Sequence, residues 1–83
     1  MERLKNAAKT VGVKQTHRAI REGLAKRVFL ADDAQEHIRR PVLDLCAETG
    51  TPLETVPGMK ELGDACGIEV GASVAALLKD PNE

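Results

Sequence analysis

Two short runs of apolar residues constrain the fold of this chain more than any other feature. Residues 27–31 (RVFLA) and 72–78 (ASVAALL) are almost continuously apolar and are bounded by polar residues. Continuous rather than alternating hydrophobicity is typical of strands that are covered on both faces. Residues 27–31 are therefore expected to form a central strand, and residues 72–78 another buried strand.

The remaining segments predict helices on either side of such a sheet. Apolar residues at helical spacing, punctuated by glycines, predict helices over about residues 1–10, 13–22, 41–50 and 59–66, and alternation predicts a strand at 52–56. Asp32 or Asp33 is expected to cap a helix, and Pro41 to restart or kink it because proline lacks an N–H. Helices and strands alternate, which indicates an α/β fold with a small sheet between helical layers.

Length and composition indicate a single small globular domain. The 83 residues, 42% hydrophobic and 30% charged, allow one domain spanning residues 1–83. The sequence lacks an apolar run of membrane-spanning length, and its first residues do not resemble a signal peptide, so a cytoplasmic protein is expected. Cys46 and Cys66 have no partners at metal-binding spacing and are expected to be buried free thiols.

Several functional classes are disfavoured by what the sequence lacks. It contains no phosphate-binding glycine loop, no zinc-protease motif and no nucleophile elbow, and its histidines, His17 and His37, have no evident nucleophile to serve. An enzyme is therefore not expected, nor is a cofactor or a metal site. With Phe29 as the single aromatic residue, RNA recognition by base stacking on a sheet is also excluded.

Charge is distributed unevenly along the chain. Residues 1–27 contain eight basic and two acidic residues, a net charge of +6, whereas residues 28–83 carry −7. Such asymmetry is typical of a protein whose basic face meets a polyanion, although a charged helix face is often only solvated.

Hydrogen-bonding side chains concentrate at the start of the second predicted helix. Gly12 would let the backbone approach a partner, and the following helix start offers unpaired N–H groups. Lys14 and Gln15 lie four and three residues before Arg18, so the three side chains share one surface that can contact a guanine edge. The alternative is a solvated basic helix end.

The segment 61–72 has two interpretations. Ile68 and Val70 either fold into the core or remain exposed and cover unstacked nucleotides. At least one of the two is expected to be exposed, because Gly67 and Gly71 bracket a segment too short to turn both side chains inward.

Together these segments resemble the kink-turn RNA-binding ribosomal protein family, which includes short bacterial homologues. The similarity extends from about residue 4 to residue 78 and is carried by residues 12–18, 61–63, 65–70 and 72–78. Many members open the RNA-binding helix with Gly-Thr-Asn-Glu-x-x-Lys. Here Lys14 stands in place of Asn, Gln15 in place of Glu and Arg18 in place of Lys.

The resemblance implies a three-layer α/β/α sandwich with a small mixed sheet of about four strands. It also implies a non-enzymatic protein that binds kink-turn RNA, a bulge followed by tandem sheared G·A pairs, in the ribosome or in a structured leader. The alternative is a ribosomal accessory or protein-interaction module that has lost RNA affinity. A monomer is expected, with no DNA or membrane partner. The implied RNA-binding residues are Gly12, Lys14, Gln15, Arg18, Lys60, Ile68, Glu69, Val70, Gly71 and Ala72.

Overall fold

Strands and helices alternate along residues 4–80, the part of the chain that the computed structural model describes. Their order is β1 (Lys9–Val11), α1 (Val13–Arg21), β2 (Ala25–Ala31), α2 (Glu36–Thr49), β3 (Leu53–Val56), α3 (Met59–Cys66) and β4 (Val74–Leu78). No helix within these residues has the length and apolarity that crossing a membrane requires.

The four strands form one mixed sheet in the order β1-β4-β2-β3. Strand β4 runs antiparallel to both β1 and β2, whereas β2 and β3 are parallel. The two central strands are the continuously apolar runs, with Val28 opposite Ala76 in the register. The prediction that residues 27–31 form a central strand is thereby confirmed, and the second apolar run is its neighbour.

Helices cover both faces of the sheet. On one face, α1 and α2 bury a cluster that includes Ile20, Val28 and Val42. On the other face, α3 packs against a separate cluster that includes Leu4, Phe29 and Leu62. The predicted three-layer α/β/α sandwich is therefore confirmed. The two buried cysteines lie in different layers, Cys66 on α3 and Cys46 on α2.

The helix predicted for the start of the chain is wrong within the described residues; residues 1–3 lie outside them. Lys9–Val11 forms strand β1, which pairs with the outer edge of β4. Val11 packs against the α3-side cluster, while Thr10 donates to or accepts from Thr16 of α1, with 2.9 Å between the hydroxyl oxygens. Because a buried strand must pair its backbone groups, the need of β4 for a partner overrides the helical spacing of the apolar residues.

Pro41 does not restart a helix as expected. Helix α2 is continuous from Glu36 to Thr49 with Pro41 inside it. Pro41 is exposed, so the carbonyl of His37, which loses its helical donor, faces the solvent side where water can bond to it. The expected aspartate cap is also wrong, because Gln35 occupies the N-cap of α2 and makes no side-chain capping bond.

Candidate nucleic-acid interface

One end of the sheet brings the start of α1 and the segment before β4 together. Strands β1 and β2 point the same way, so their carboxyl ends meet the amino end of β4. The Gly12 N–H donates to the Val74 carbonyl at 2.9 Å, and the Ala31 N–H donates to the Ser73 carbonyl at 2.9 Å. We call this region the Gly12 end of the sheet. It places segments 12–18 and 68–72, which are distant in sequence, beside each other.

Gly12 is the N-cap of α1 and has a backbone conformation that suits only glycine. Its φ is 101° and its ψ is 163°. A Cβ added there would meet nothing within 4 Å, so conformation and not space requires the glycine. Glycine supplies no side-chain cap, and the first-turn N–H groups of α1 therefore stay available to an outside acceptor.

The predicted polar side chains of α1 lie on its solvent face. Lys14, Gln15 and Arg18 are exposed, while Thr16 and Ile20 point into the core. This division follows from the helical period, since burial of residues 16, 19 and 20 turns residues 14, 15 and 18 outward. The structure thus brings the three predicted residues together at the Gly12 end.

Arg18 forms an ion pair with a residue one helical turn further along the chain. Its Nε donates to Glu22 Oε2 at 3.2 Å, and both side chains are largely exposed. Exposed ion pairs of this spacing contribute only about 0.3–0.5 kcal/mol. An incoming phosphate or base can therefore displace Glu22 at little energetic cost.

The 68–72 loop presents one apolar side chain to solvent. Val70 is 70% exposed, whereas Ile68 is half-buried against the α3-side cluster. Glu69 and Gly71 are exposed, and Ala72 is buried in the core. The prediction that at least one of Ile68 and Val70 is exposed is confirmed, and Val70 is that residue.

The loop is held against α3 at several points. The Ala72 N–H donates to the Met59 carbonyl at 2.9 Å, and the Ser73 hydroxyl lies 3.8 Å from the Met59 sulfur. Gly63 has no room for a side chain, because a Cβ there would overlap the carbonyl oxygen of Val70. Val70 is therefore an exposed side chain on a fixed backbone.

Asp33, which follows β2, binds the start of α3, whereas the sequence predicted that it would cap α2. Its Oδ1 accepts a hydrogen bond from the Met59 N–H at 2.8 Å, so the carboxylate caps α3, 26 residues away. A carboxylate at a helix start also interacts favourably with the helix dipole. No local pattern reports this contact, since it depends on how β2 and β3 pair.

Lys60 lies on the first turn of α3 in an acidic setting. It is exposed and forms an ion pair with Asp64, 3.3 Å from Nζ to Oδ2. Glu61 and Glu69 lie on the same helix and on the loop that packs against it. The surroundings of Lys60 are thus less favourable to a phosphate than those of Lys14 and Arg18.

The other reactive groups do not form a further site at the Gly12 end. Burial raises the pKa of the Cys46 thiol and of the Cys66 thiol. At Cys66 the positive charge of Lys9 acts in the opposite direction and partly offsets the rise in pKa. Such thiols stay protonated and weakly nucleophilic. His17 is half-buried, and its Nε2 has no hydrogen-bond partner among residues 4–80. Within residues 4–80, no three side chains of the metal-binding types cluster together.

Comparisons with known proteins agree with this architecture. The RNA-binding protein YbxF of Geobacillus stearothermophilus is 43% identical over 79 residues, covering 94% of this chain and 96% of the relative. An RNA-binding protein of Bacillus pumilus is 40% identical over 68 residues, 82% of this chain and 83% of the relative.

Solved structures share the fold. A 15.5 kD RNA binding protein from Giardia lamblia superposes with a TM-score of 0.88 at 24% identity, covering 98% of this chain and 72% of the other. A protein of unknown function from Bacillus halodurans gives 0.84 at 28% identity, covering 98% and 84%. The family model for ribosomal protein L7Ae/L30e/S12e/Gadd45 matches residues 2–83. The resemblance predicted from the sequence is therefore confirmed, and the chain belongs to the ribosomal protein L7Ae/L30e/S12e/Gadd45 family.

Proposed function

We propose that this chain is a non-enzymatic RNA-binding protein that recognises kink-turns. The observation that carries the proposal is the pairing, at the Gly12 end, of an exposed hydrogen-bonding helix start with an exposed apolar residue on a fixed loop. Relatives 43% identical to this chain are named RNA-binding proteins, which supports an RNA ligand.

The helix start would contact the sheared G·A pairs. Lys14 donates to guanine O6 or N7, Gln15 offers a carbonyl acceptor to a guanine N–H, and Arg18 supplies a charged fork. The uncapped first-turn amides of α1 add donors for a phosphate or a base oxygen. A neutral amide accepts more weakly than a carboxylate, so Gln15 would give a weaker bond than Glu.

The 68–72 loop would cover nucleotides of the bulge. Val70 provides an apolar surface for a splayed base, and Ile68 supports it from its half-buried position. Gly71 lets the loop pack closely on α3, since an added Cβ would lie 3.2 Å from the Met59 Cβ, and its exposed backbone would face the RNA. Glu69 offers an acceptor to a base amino group. Ala72 acts through its backbone, which fixes the loop on Met59.

The proposal includes the setting of the protein. The RNA would be ribosomal or a structured leader, and the protein would act as a cytoplasmic monomer of one domain without a cofactor. Lys60 would contribute a phosphate contact by exchanging Asp64 for RNA, the weakest of the assigned contacts because of its acidic neighbours.

A gel-shift comparison of a kink-turn with an uninterrupted duplex of equal length tests the proposal. Much weaker binding to the duplex is expected, because A-form grooves hide the base edges that the kink opens. The affinity for the kink-turn should fall only shallowly with salt, since few phosphates are neutralised. Equal affinity for both RNAs would contradict kink-turn recognition, and binding to neither would favour an accessory module without RNA affinity.

A further inference from the structure

The exposed face of α1 carries a stripe of basic residues that extends beyond the Gly12 end. Lys14, Arg18 and Arg21 are four and three residues apart and exposed. At 1.5 Å rise per residue the stripe is about 10.5 Å long. Within residues 4–80, neither Lys14 nor Arg21 makes a side-chain hydrogen bond or ion pair, so both are available to a ligand.

Acidic residues are sparse along the exposed face of α1 and more frequent on α3 and its loop. Between residues 4 and 31, Glu22 is the sole acidic residue. Helix α2, which packs beside α1, exposes Glu36, Asp44 and Glu48 on its own surface. Around its start, α3 and the loop packed on it expose Glu61, Asp64 and Glu69 against a single Lys60. Two further lysines, Lys5 and Lys9, lie near the far end of α3, beside Gly67 and Cys66. A polyanion that reaches the Gly12 end is therefore attracted along α1 and repelled from the acidic start of α3 and its loop.

We propose that the backbone of an RNA stem adjoining the kink runs along α1, with Arg21 as a phosphate-binding residue. This inference rests on the proposed function. Lys14, Gln15 and Arg18 contact bases at the Gly12 end, and Arg21 extends the contact by one further helical turn to a phosphate of the stem. The contact positions the RNA without reading its sequence.

A purely structural role for Arg21 makes different predictions. Arg21 lies in the last turn of α1, where a cation stabilises the helix through its dipole. In that case Arg21→Ala lowers the unfolding temperature and leaves the salt dependence of RNA binding unchanged. A phosphate contact instead changes the salt dependence in a protein of nearly unchanged stability.

The experiment measures kink-turn affinity against salt concentration for wild type, Arg21→Ala and the control Arg40→Ala. Arg40 is an exposed arginine on α2, paired with Glu36, and its removal changes the net charge equally. Arg21→Ala is expected to reduce the slope of log affinity against log salt by about 1. Its loss of affinity relative to wild type should therefore become about fourfold smaller when salt is raised from about 50 to about 200 mM. Discrimination for the G·A pairs should persist, and Arg40→Ala should behave as wild type.

The outcomes separate this inference from the proposed function. A wild-type slope for Arg21→Ala, or an equal change in Arg40→Ala, overturns the stem contact even when wild type prefers the kink-turn. Equal wild-type affinity for kink-turn and duplex overturns the proposed function, and the Arg21→Ala slope on that duplex still decides the phosphate contact. Absence of any RNA binding overturns both.

Discussion

At the scale of single residues, the orientation of side chains on α1 was predictable and their partners were not. The spacing of buried residues Thr16, Ala19 and Ile20 determines which side chains of α1 face solvent. The ion pair between Arg18 and Glu22 is compatible with the sequence, but exposed pairs at this spacing form in some helices and not in others.

Replacing Gln15 or Arg18 by alanine should weaken kink-turn binding by about 1 to 3 kcal/mol each, the range for a specific base contact. Both side chains are exposed, so the unfolding temperature should change little. Titration of kink-turn RNA, with thermal unfolding as the control, measures the two effects. Wild-type affinity in both variants would show that these side chains do not contact RNA.

Glu22→Gln should increase kink-turn affinity by about twofold. The substitution keeps the shape of the side chain, removes a negative charge from the basic stripe and releases Arg18 from an ion pair worth about 0.3–0.5 kcal/mol. Competition binding against wild type at low salt can resolve such a difference. A decrease in affinity would mean that Glu22 helps to orient Arg18 toward RNA.

At the scale of elements, the 68–72 loop depends on α3 for its conformation. Gly63 permits the carbonyl of Val70 to lie against the helix, and the Met59 carbonyl accepts a hydrogen bond from the Ala72 N–H. The sequence shows the glycines, but the need for Gly63 is apparent only when the loop is seen folded back on the helix. A loop held in this way keeps Val70 exposed without losing order.

Val70→Ala should change the free energy of unfolding by less than about 0.5 kcal/mol while weakening kink-turn binding, because the side chain is exposed and would cover a nucleotide. Val74→Ala is the matched control. Val74 is fully buried, so its truncation should lower stability by about 1 to 3 kcal/mol and affect RNA affinity only through folding. Chemical denaturation and RNA titration of both variants measure the contrast, and a large loss of stability in Val70→Ala would contradict it.

Asp33→Ala should lower stability by about 0.5–2 kcal/mol, the usual effect of losing a helix cap, and should loosen the 68–72 loop. Asp33→Asn keeps an oxygen acceptor and should restore most of the loss. Hydrogen exchange at the Met59 amide reports the capping bond directly. If exchange there is as slow in Asp33→Ala as in wild type, Asp33 does not hold the start of α3.

At the scale of the whole molecule, the sequence predicted the three layers but not the edge strand β1. Two continuously apolar runs dictated central strands, and glycines marked the ends of α1, α2 and α3. Strand β1 was missed because it is three residues long and exists only through its pairing with β4. The position of Asp33 at α3 was missed for the same reason, since both are products of tertiary contact.

Part of the charge asymmetry of the chain becomes a contrast between α1 and the start of α3, while Lys5 and Lys9 of the basic third lie near the far end of α3. The basic stripe of α1 lies on one side of the sheet and the acidic surface of α3 on the other. At the Gly12 end the basic stripe of α1 lies beside the exposed 68–72 loop. RNA is therefore expected to approach from the α1 side and to meet Val70 at the edge of its path.

The most direct measurement compares wild-type affinity for a kink-turn with that for the same RNA in which both G·A pairs are replaced by Watson–Crick pairs. The bulge, length and charge stay constant, so the difference isolates recognition of the G·A pairs by the Gly12 end. A loss of about tenfold or more is predicted, as for at least one specific base contact. Equal affinity for the two RNAs would contradict base recognition by Lys14, Gln15 and Arg18.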